Sequence, residues 1–148
     1  MLLLRYSWIA VCSNNEIRIF NQFNQYKCET LIQRRCDIIY SICELDDDGT
    51  IVSCSKDKSI IIGDQIIPKA HFGIICKVIC LSGKRIASCS SDRTIKIWNS
   101  NPRYNNTPIT VLNGHKDEVT SILYIEGRNM LISCSKDNTL RLWNMLRK

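Results

Sequence analysis

Apolar residues fall at every second position in several short stretches of this 148-residue chain. Thr139-Leu-Arg-Leu-Trp143 and Thr94-Ile-Lys-Ile-Trp98 show the pattern most plainly, and Glu16-Ile-Arg-Ile-Phe20 repeats it. A period of two sends alternate side chains to opposite faces of an extended strand, so each stretch predicts a β-strand with one packed and one wet face. A shorter apolar run precedes two of them, Leu-Ile-Ser-Cys at 131–134 and Ile-Ala-Ser-Cys at 86–89. The linking segments, such as Ser-Lys-Asp-Asn at 135–138, are tight turns, because Asp and Asn side chains bond their own backbone. Further strands are predicted over 38–45, 74–81 and 119–125, with a looser one over 107–112. No segment carries the 3.6-residue period of an amphipathic helix.

These strand pairs are copies of one another. Segments 50–64, 85–99 and 130–144 align, and 8–21 is a weaker fourth copy. The equivalent end positions Phe20, Gly63, Trp98 and Trp143 are spaced 43, 35 and 45 residues apart. Four short strands per ~40 residues, repeated, predict small sheets stacked radially. With Gly114-His115 ahead of one unit and Trp143-Asn144 closing it, the chain resembles the WD-repeat β-propeller family. That resemblance implies an all-β partial propeller in a single domain over 1–148, with repeat units 1–21, 22–64, 65–99 and 100–148. About four blades of four antiparallel strands are expected, the first and last incomplete. The chain stops four residues after Trp143-Asn144, one strand short. At the other end only residues 1–5 are left to stand in for the first inner strand.

Composition narrows the class. At 45% hydrophobic and 23% charged residues, with three Pro and six Gly, collagen-like and wholly disordered chains are excluded. No apolar run approaches the ~18–20 residues that cross a bilayer, so no membrane partner is expected. The net charge of +6 is dispersed. Its longest clusters are Arg34-Arg35 and Arg147-Lys148, which read as solvated surface rather than a nucleic-acid stripe. Nine cysteines and no recognisable signal peptide point to a reducing compartment, cytoplasm or nucleus, with thiols packed as small hydrophobes. Neither Cys76-x3-Cys80 nor Cys36-x6-Cys43 has zinc-knuckle spacing, so no metal and no cofactor are expected.

Two constellations recur. His115, Ser133, Asp137 and Trp143 stand in one unit, and His71, Ser88, Asp92 and Trp98 in the unit before, with the His one residue closer. The resemblance implies a structural hydrogen-bond network running from indole to hydroxyl to imidazole to turn carboxylate. A buried indole N–H and a buried hydroxyl each need such a partner. Ser, His and Asp together also invite a hydrolase reading. Against it, each Ser lies mid-strand with no Gly-x-Ser-x-Gly elbow, and the set occurs twice as structural repeats do. No catalytic residue is therefore assigned. The 22–64 unit keeps Ser53 and Asp57 but places Arg35 at the His position and Gly63 at the Trp position, so it should lack the network and be looser. The first unit places Asn14 at the Asp position and Ala10 at the Ser position, and should also lack it. Cys54, Cys89 and Cys134 recur as snug packing positions.

Propellers of this kind are mostly rigid platforms, so the resemblance implies a non-catalytic protein–protein scaffold or adaptor that meets other proteins through its top face. Candidate contact residues are Lys56, Ser91 and Lys136 before the Asp turns, and Phe72, Lys116 and Asp117 after the His positions. Phe72 either anchors a partner or tucks back under its loop. Lysines at two equivalent turns favour an acidic partner surface. The rival class is a ribonucleoprotein-associated propeller that contacts RNA through its basic surface. The partial ring leaves three readings open: the C-terminal part of a longer product, self-association, or a decaying duplicate. The first is favoured because repeat quality rises towards the C-terminus.

Overall fold

The structure, a computed structural model, describes residues 2–3, 8–21, 23, 27–33, 37–45, 49–101 and 106–145. They form four antiparallel sheets in chain order. The first holds β1 (Leu2–Leu3), β2 (Trp8–Ser13), β3 (Glu16–Asn21) and β4 (Cys28–Gln33). The second holds β5 (Ile39–Glu44), β6 (Ile51–Ser55), β7 (Ile60–Ile62) and β8 (Gln65–Ile67). The third holds β9 (Ile75–Leu81), β10 (Arg85–Ser90), β11 (Ile95–Asn99) and β12 (Thr110–Leu112). The fourth has three strands, β13 (Val119–Ile125), β14 (Met130–Ser135) and β15 (Leu140–Asn144). Each sheet meanders from inner to outer strand, as short hairpins require. Among the described residues, the first blade's inner strand is the two-residue β1, paired to β2, and the fourth sheet holds three strands where the others hold four.

The alternating pattern decides how the blades stack. On the third blade, Val78, Ile86 and Trp98 turn one way and pack with Val52, Cys54, Ile60 and Ile62 of the second. Leu81, Ala87, Cys89, Ile95 and Ile97 turn the other way, against Val119, Ile122 and Leu131 of the fourth. A smaller cluster of Ala10, Ile17, Ile39, Ile42 and Ile51 joins the first blade to the second. A buried aliphatic side chain contributes roughly 1.5–3 kcal/mol, so these three inter-blade layers are the main cohesion of the chain. Their inner edges touch: β9 packs against both β5 and β13. Ser41 Oγ donates to the Val78 carbonyl at 3.3 Å, and Lys77 Nζ donates to Ser121 Oγ at 3.2 Å.

Stacking ends abruptly at the fourth blade. Leu140 and Leu142 hold the register that Ile95 and Ile97 hold on the third, yet they are 71% and 63% exposed where those isoleucines are buried. Leu123, in line with Leu142 across Ile132, is exposed too.

Register corrects the reading of the first unit. Ile9 pairs with Phe20 as Ile86 pairs with Trp98, which puts Val11, not Ala10, in register with Ser88. Ala10 packs towards the second blade, as Ala87 packs towards the fourth. The cause is a shorter hairpin. Ser13 pairs with Glu16 across only Asn14 and Asn15, and Asn14 takes a left-handed φ of 52°. Lys58, Arg93 and Asn138, the residues after the turn aspartates, also have positive φ. Asn14 therefore matches those positions and not the aspartate itself.

Candidate functional site

The third and fourth blades carry the same polar network at the same place, where the segment entering the inner strand crosses the hairpin between the middle two strands. In the third, Trp98 Nε1 donates to Ser88 Oγ at 2.8 Å, Ser88 Oγ lies 2.8 Å from His71 Nε2, and His71 Nδ1 lies 2.9 Å from Asp92 Oδ2. In the fourth, Trp143 Nε1 donates to Ser133 Oγ at 2.8 Å, which lies 2.7 Å from His115 Nε2, and His115 Nδ1 lies 2.9 Å from Asp137 Oδ2.

Chemistry orients the protons in the third blade. The indole only donates and the carboxylate only accepts, so His71 donates from Nδ1 and accepts at Nε2, and the Ser88 hydroxyl donates to it. That is neutral imidazole, and burial pushes the His71 pKa below its usual 6.5 despite the Asp92 hydrogen bond and charge. Burial alone would raise the Asp92 pKa, but hydrogen bonds from His71 and Thr94 hold it far below the usual carboxylate range. Asp137 is likewise held low, first by the hydrogen bond from Thr139.

Sequence reasoning missed two members. Thr94 Oγ1 donates to Asp92 Oδ1 at 2.6 Å and sits 3.2 Å from His71 Nδ1. Thr139 Oγ1 does the same with Asp137 at 2.6 Å and lies 3.3 Å from His115 Nδ1. The signal was there: a hydroxyl two residues after each turn aspartate, Ser59 included. The aspartates also accept from the backbone ahead of them, Asp92 from Phe72 N at 2.9 Å and Asp137 from Lys116 N at 2.8 Å. One carboxylate thus ties its own turn to the segment entering the inner strand, and within each network the indole, imidazole and threonine hydroxyl donors all find acceptors.

The same geometry closes the Ser hydroxyls to solvent chemistry. Ser88 is fully buried and Ser133 is 1% exposed, each oxygen held between indole and imidazole, whereas a nucleophile must reach substrate.

Among the described residues, the second blade keeps the turn. Asp57 accepts from Ser59 N at 2.9 Å and Ser59 Oγ at 2.5 Å, and Asp37 N reaches it at 3.4 Å. Arg35, expected at the His position, lies outside the described residues. Gly63 stands where the indole would be, and the buried Ser53 Oγ has no hydrogen-bond partner among the described residues.

The contact candidates divide sharply. Phe72 is 89% exposed and does not tuck under its loop. Lys96 Nζ lies 5.6 Å from its ring and 5.8 Å from the Trp98 ring, while donating to the Ala70 carbonyl at 2.7 Å. Lys56 and Lys116 are exposed. Lys136 pairs with Glu118 at 2.9 Å, so its charge is partly spent within the chain. Ser91 accepts from Ile74 N at 2.8 Å, tying its turn to the segment entering β9, and Asp117 accepts from Glu118 N at 2.7 Å within its own loop. Among the described residues no three His, Cys, Asp or Glu side chains converge as a metal set, and no helix is long and apolar enough to cross a membrane.

Comparison with known proteins agrees with this architecture. The family model described as "WD domain, G-beta repeat" matches residues 27–64, 67–99 and 106–144. The nuclear distribution protein nudF 1 of Talaromyces marneffei is 50% identical over 50 residues, covering 34% of this chain and 10% of its own length. The nuclear distribution protein PAC1 of Candida albicans is 34% identical over 115 residues, 72% of this chain and 22% of its own length. Its counterpart in Candida dubliniensis is 35% identical over 107 residues, with 67% and 20% covered. The chain thus spans about a fifth or less of these relatives.

Proposed function

The chain belongs to the WD-repeat family, and from that premise we propose that it is a protein-interaction scaffold whose contact face is the end bearing the turn aspartates. The observation that carries the reading is Phe72. A large aromatic that is 89% exposed costs solvation in the free chain, and such residues are favoured anchors of protein interfaces. Its backbone N–H is held by Asp92, itself clamped by His71 and Thr94, so the ring is presented from a rigid base and little ordering is lost on binding. The two networks act in this reading as girders for the contact face, and no chemistry is assigned to them. Lys96 beside the ring, with Lys56 and Lys116 on neighbouring loops, favours a partner segment that offers an apolar side chain flanked by carboxylates. The relatives are named for nuclear distribution, which supports a role for this scaffold in that process.

The test is site-directed photocrosslinking in cells, with a benzophenone side chain at position 72 and, as control, at position 84. The expected result is a discrete protein adduct from 72 and none from 84, with a yield insensitive to raised salt. Adducts to RNA that vanish as salt rises would transfer the assignment to the rival class, since phosphate contacts weaken steeply with ionic strength. Equal labelling from both positions would remove the contact face.

A further inference from the structure

Cys43 and Cys80 face each other across the seam between the second and third blades, and their sulfur atoms are 2.9 Å apart. Thirty-seven residues separate them in sequence, so no spacing rule reveals the pair. Cys43 lies on β5 on the side that packs against the third blade, and Cys80 lies on β9 in line with Ile86 and Trp98 on the side that packs against the second. We propose that this pair is an oxidative modification site, at which hydrogen peroxide or another small peroxide forms a disulfide that staples the two blades.

Three observations support it. First, a disulfide needs sulfur atoms about 2.05 Å apart on backbones already close, and here closure requires less than about 1 Å of movement. Second, other thiols among the described residues are directed to oxygen. Cys54 faces the Ile75 carbonyl at 3.8 Å, Cys76 the Glu118 carboxylate at 3.5 Å, and Cys134 the Ser121 carbonyl at 3.7 Å. Burial pushes the Cys54 and Cys89 thiols far up and raises Cys76 to about 11, so these stay protonated at neutral pH. Third, the pair lies near the ends of β5 and β9, where Leu45, Leu81 and Ser82 border a cavity of about 670 Å³. Cys80 is the half-buried member and Cys43 the buried one.

The chemistry balances with one peroxide. The Cys80 thiolate attacks a peroxide oxygen and the O–O bond breaks, leaving Cys80 as sulfenic acid and releasing hydroxide, which takes a proton to become water. The Cys43 sulfur then attacks the Cys80 sulfur, the S–O bond breaks, and the departing hydroxide takes the Cys43 proton as a second water. Two thiols lose two electrons and two protons, and one peroxide becomes two waters.

The test uses the full chain. Reduced protein is treated with a small molar excess of hydrogen peroxide, remaining thiols are alkylated, and peptides are mapped by mass. The expected result is one dominant linked pair, joining the peptides that contain Cys43 and Cys80, with a raised urea midpoint that reverts on reduction. In Cys43→Ser the link should disappear and Cys80 should be trapped as a sulfenic acid by dimedone; in Cys80→Ser, Cys43 should remain a thiol. The wild-type map decides by itself if a variant does not fold. Full alkylation of both cysteines after peroxide, or a dominant link between any other pair, overturns the proposal.

Discussion

Ser53 and Ser88 occupy the same register of adjacent sheets and meet opposite fates. Each is buried, paired across its inner neighbour with Ile42 and Val78 respectively. Ser88 Oγ is met at 2.8 Å by both an indole and an imidazole, while Ser53 Oγ meets no hydrogen-bonding partner among the described residues. Replacing the Ser88 hydroxyl therefore orphans a buried indole N–H, and replacing that of Ser53 removes an uncompensated desolvation.

Ser88→Ala and Ser133→Ala should each lose on the order of 1–3 kcal/mol, the usual penalty for stranding buried polar groups. Trp143→Phe should fall in the same range, since it strips the donor from Ser133 and leaves a smaller ring. Ser53→Ala should be neutral or stabilising. Urea unfolding of the four variants checks this, and equal losses at Ser53 and Ser88 would sink the distinction.

Acid should weaken the fold before the carboxylates titrate. The folded pKa of His71 lies below the unfolded value of 6.5, so the unfolded chain binds the proton more readily. The stability it contributes is complete above about pH 6.5 and is lost as pH falls below that. Asp92 is also held below its usual 3.8 and adds a second loss only below that pH. Protonated His71 would turn Nε2 into a donor aimed at Ser88, whose own proton then has no acceptor. Unfolding at pH 7.5 and 5.5 should show lower stability at 5.5, with a smaller difference in His71→Gln. A flat or rising profile would contradict the neutral imidazole.

Gly73 is where the loop crosses the turn most closely. A Cβ there would sit 2.7 Å from the Asp92 backbone nitrogen and press on Ser91 Oγ, which holds Ile74 N. Neither neighbour can yield without breaking the clasp. Gly73→Ala should cost about 1–3 kcal/mol, the range for overpacking, and the thermal midpoint should fall accordingly. An unchanged midpoint would mean that the crossing is looser than its geometry.

The strand order and blade stacking were legible because a period of two is a local signal and the repeat supplies it several times over. His71, Asp92, His115 and Asp137 were legible because equivalent spacings recur in consecutive units. What escaped was set by three-dimensional register. The first hairpin is shorter than the others, so counting from Asn14 landed on Ala10 when Val11 holds the place. Thr94 and Thr139 read as ordinary strand residues until their hydroxyls meet the carboxylates. The exposure of Phe72 depends on where its loop leaves the clasp, and the approach of Cys43 to Cys80 on how two sheets stack; neither leaves a mark in spacing.

The open face of the fourth blade makes a last claim about association. Ile95 and Leu140 hold equivalent places in β11 and β15, but only Ile95 is covered by a neighbouring sheet. Removing the covered side chain should cost the folded state, and removing the uncovered one should not. Ile95→Ala should lose about 2–5 kcal/mol, while a Leu140→Lys, Leu142→Lys double variant should stay within about 0.5 kcal/mol of the parent in urea. The same double variant should bind less of an apolar fluorescent dye and scatter less light at high concentration, because a contiguous apolar patch drives contact between molecules. If it is destabilised as much as Ile95→Ala, the face is already covered in solution, and light scattering behind a sizing column should then return a mass above that of one chain.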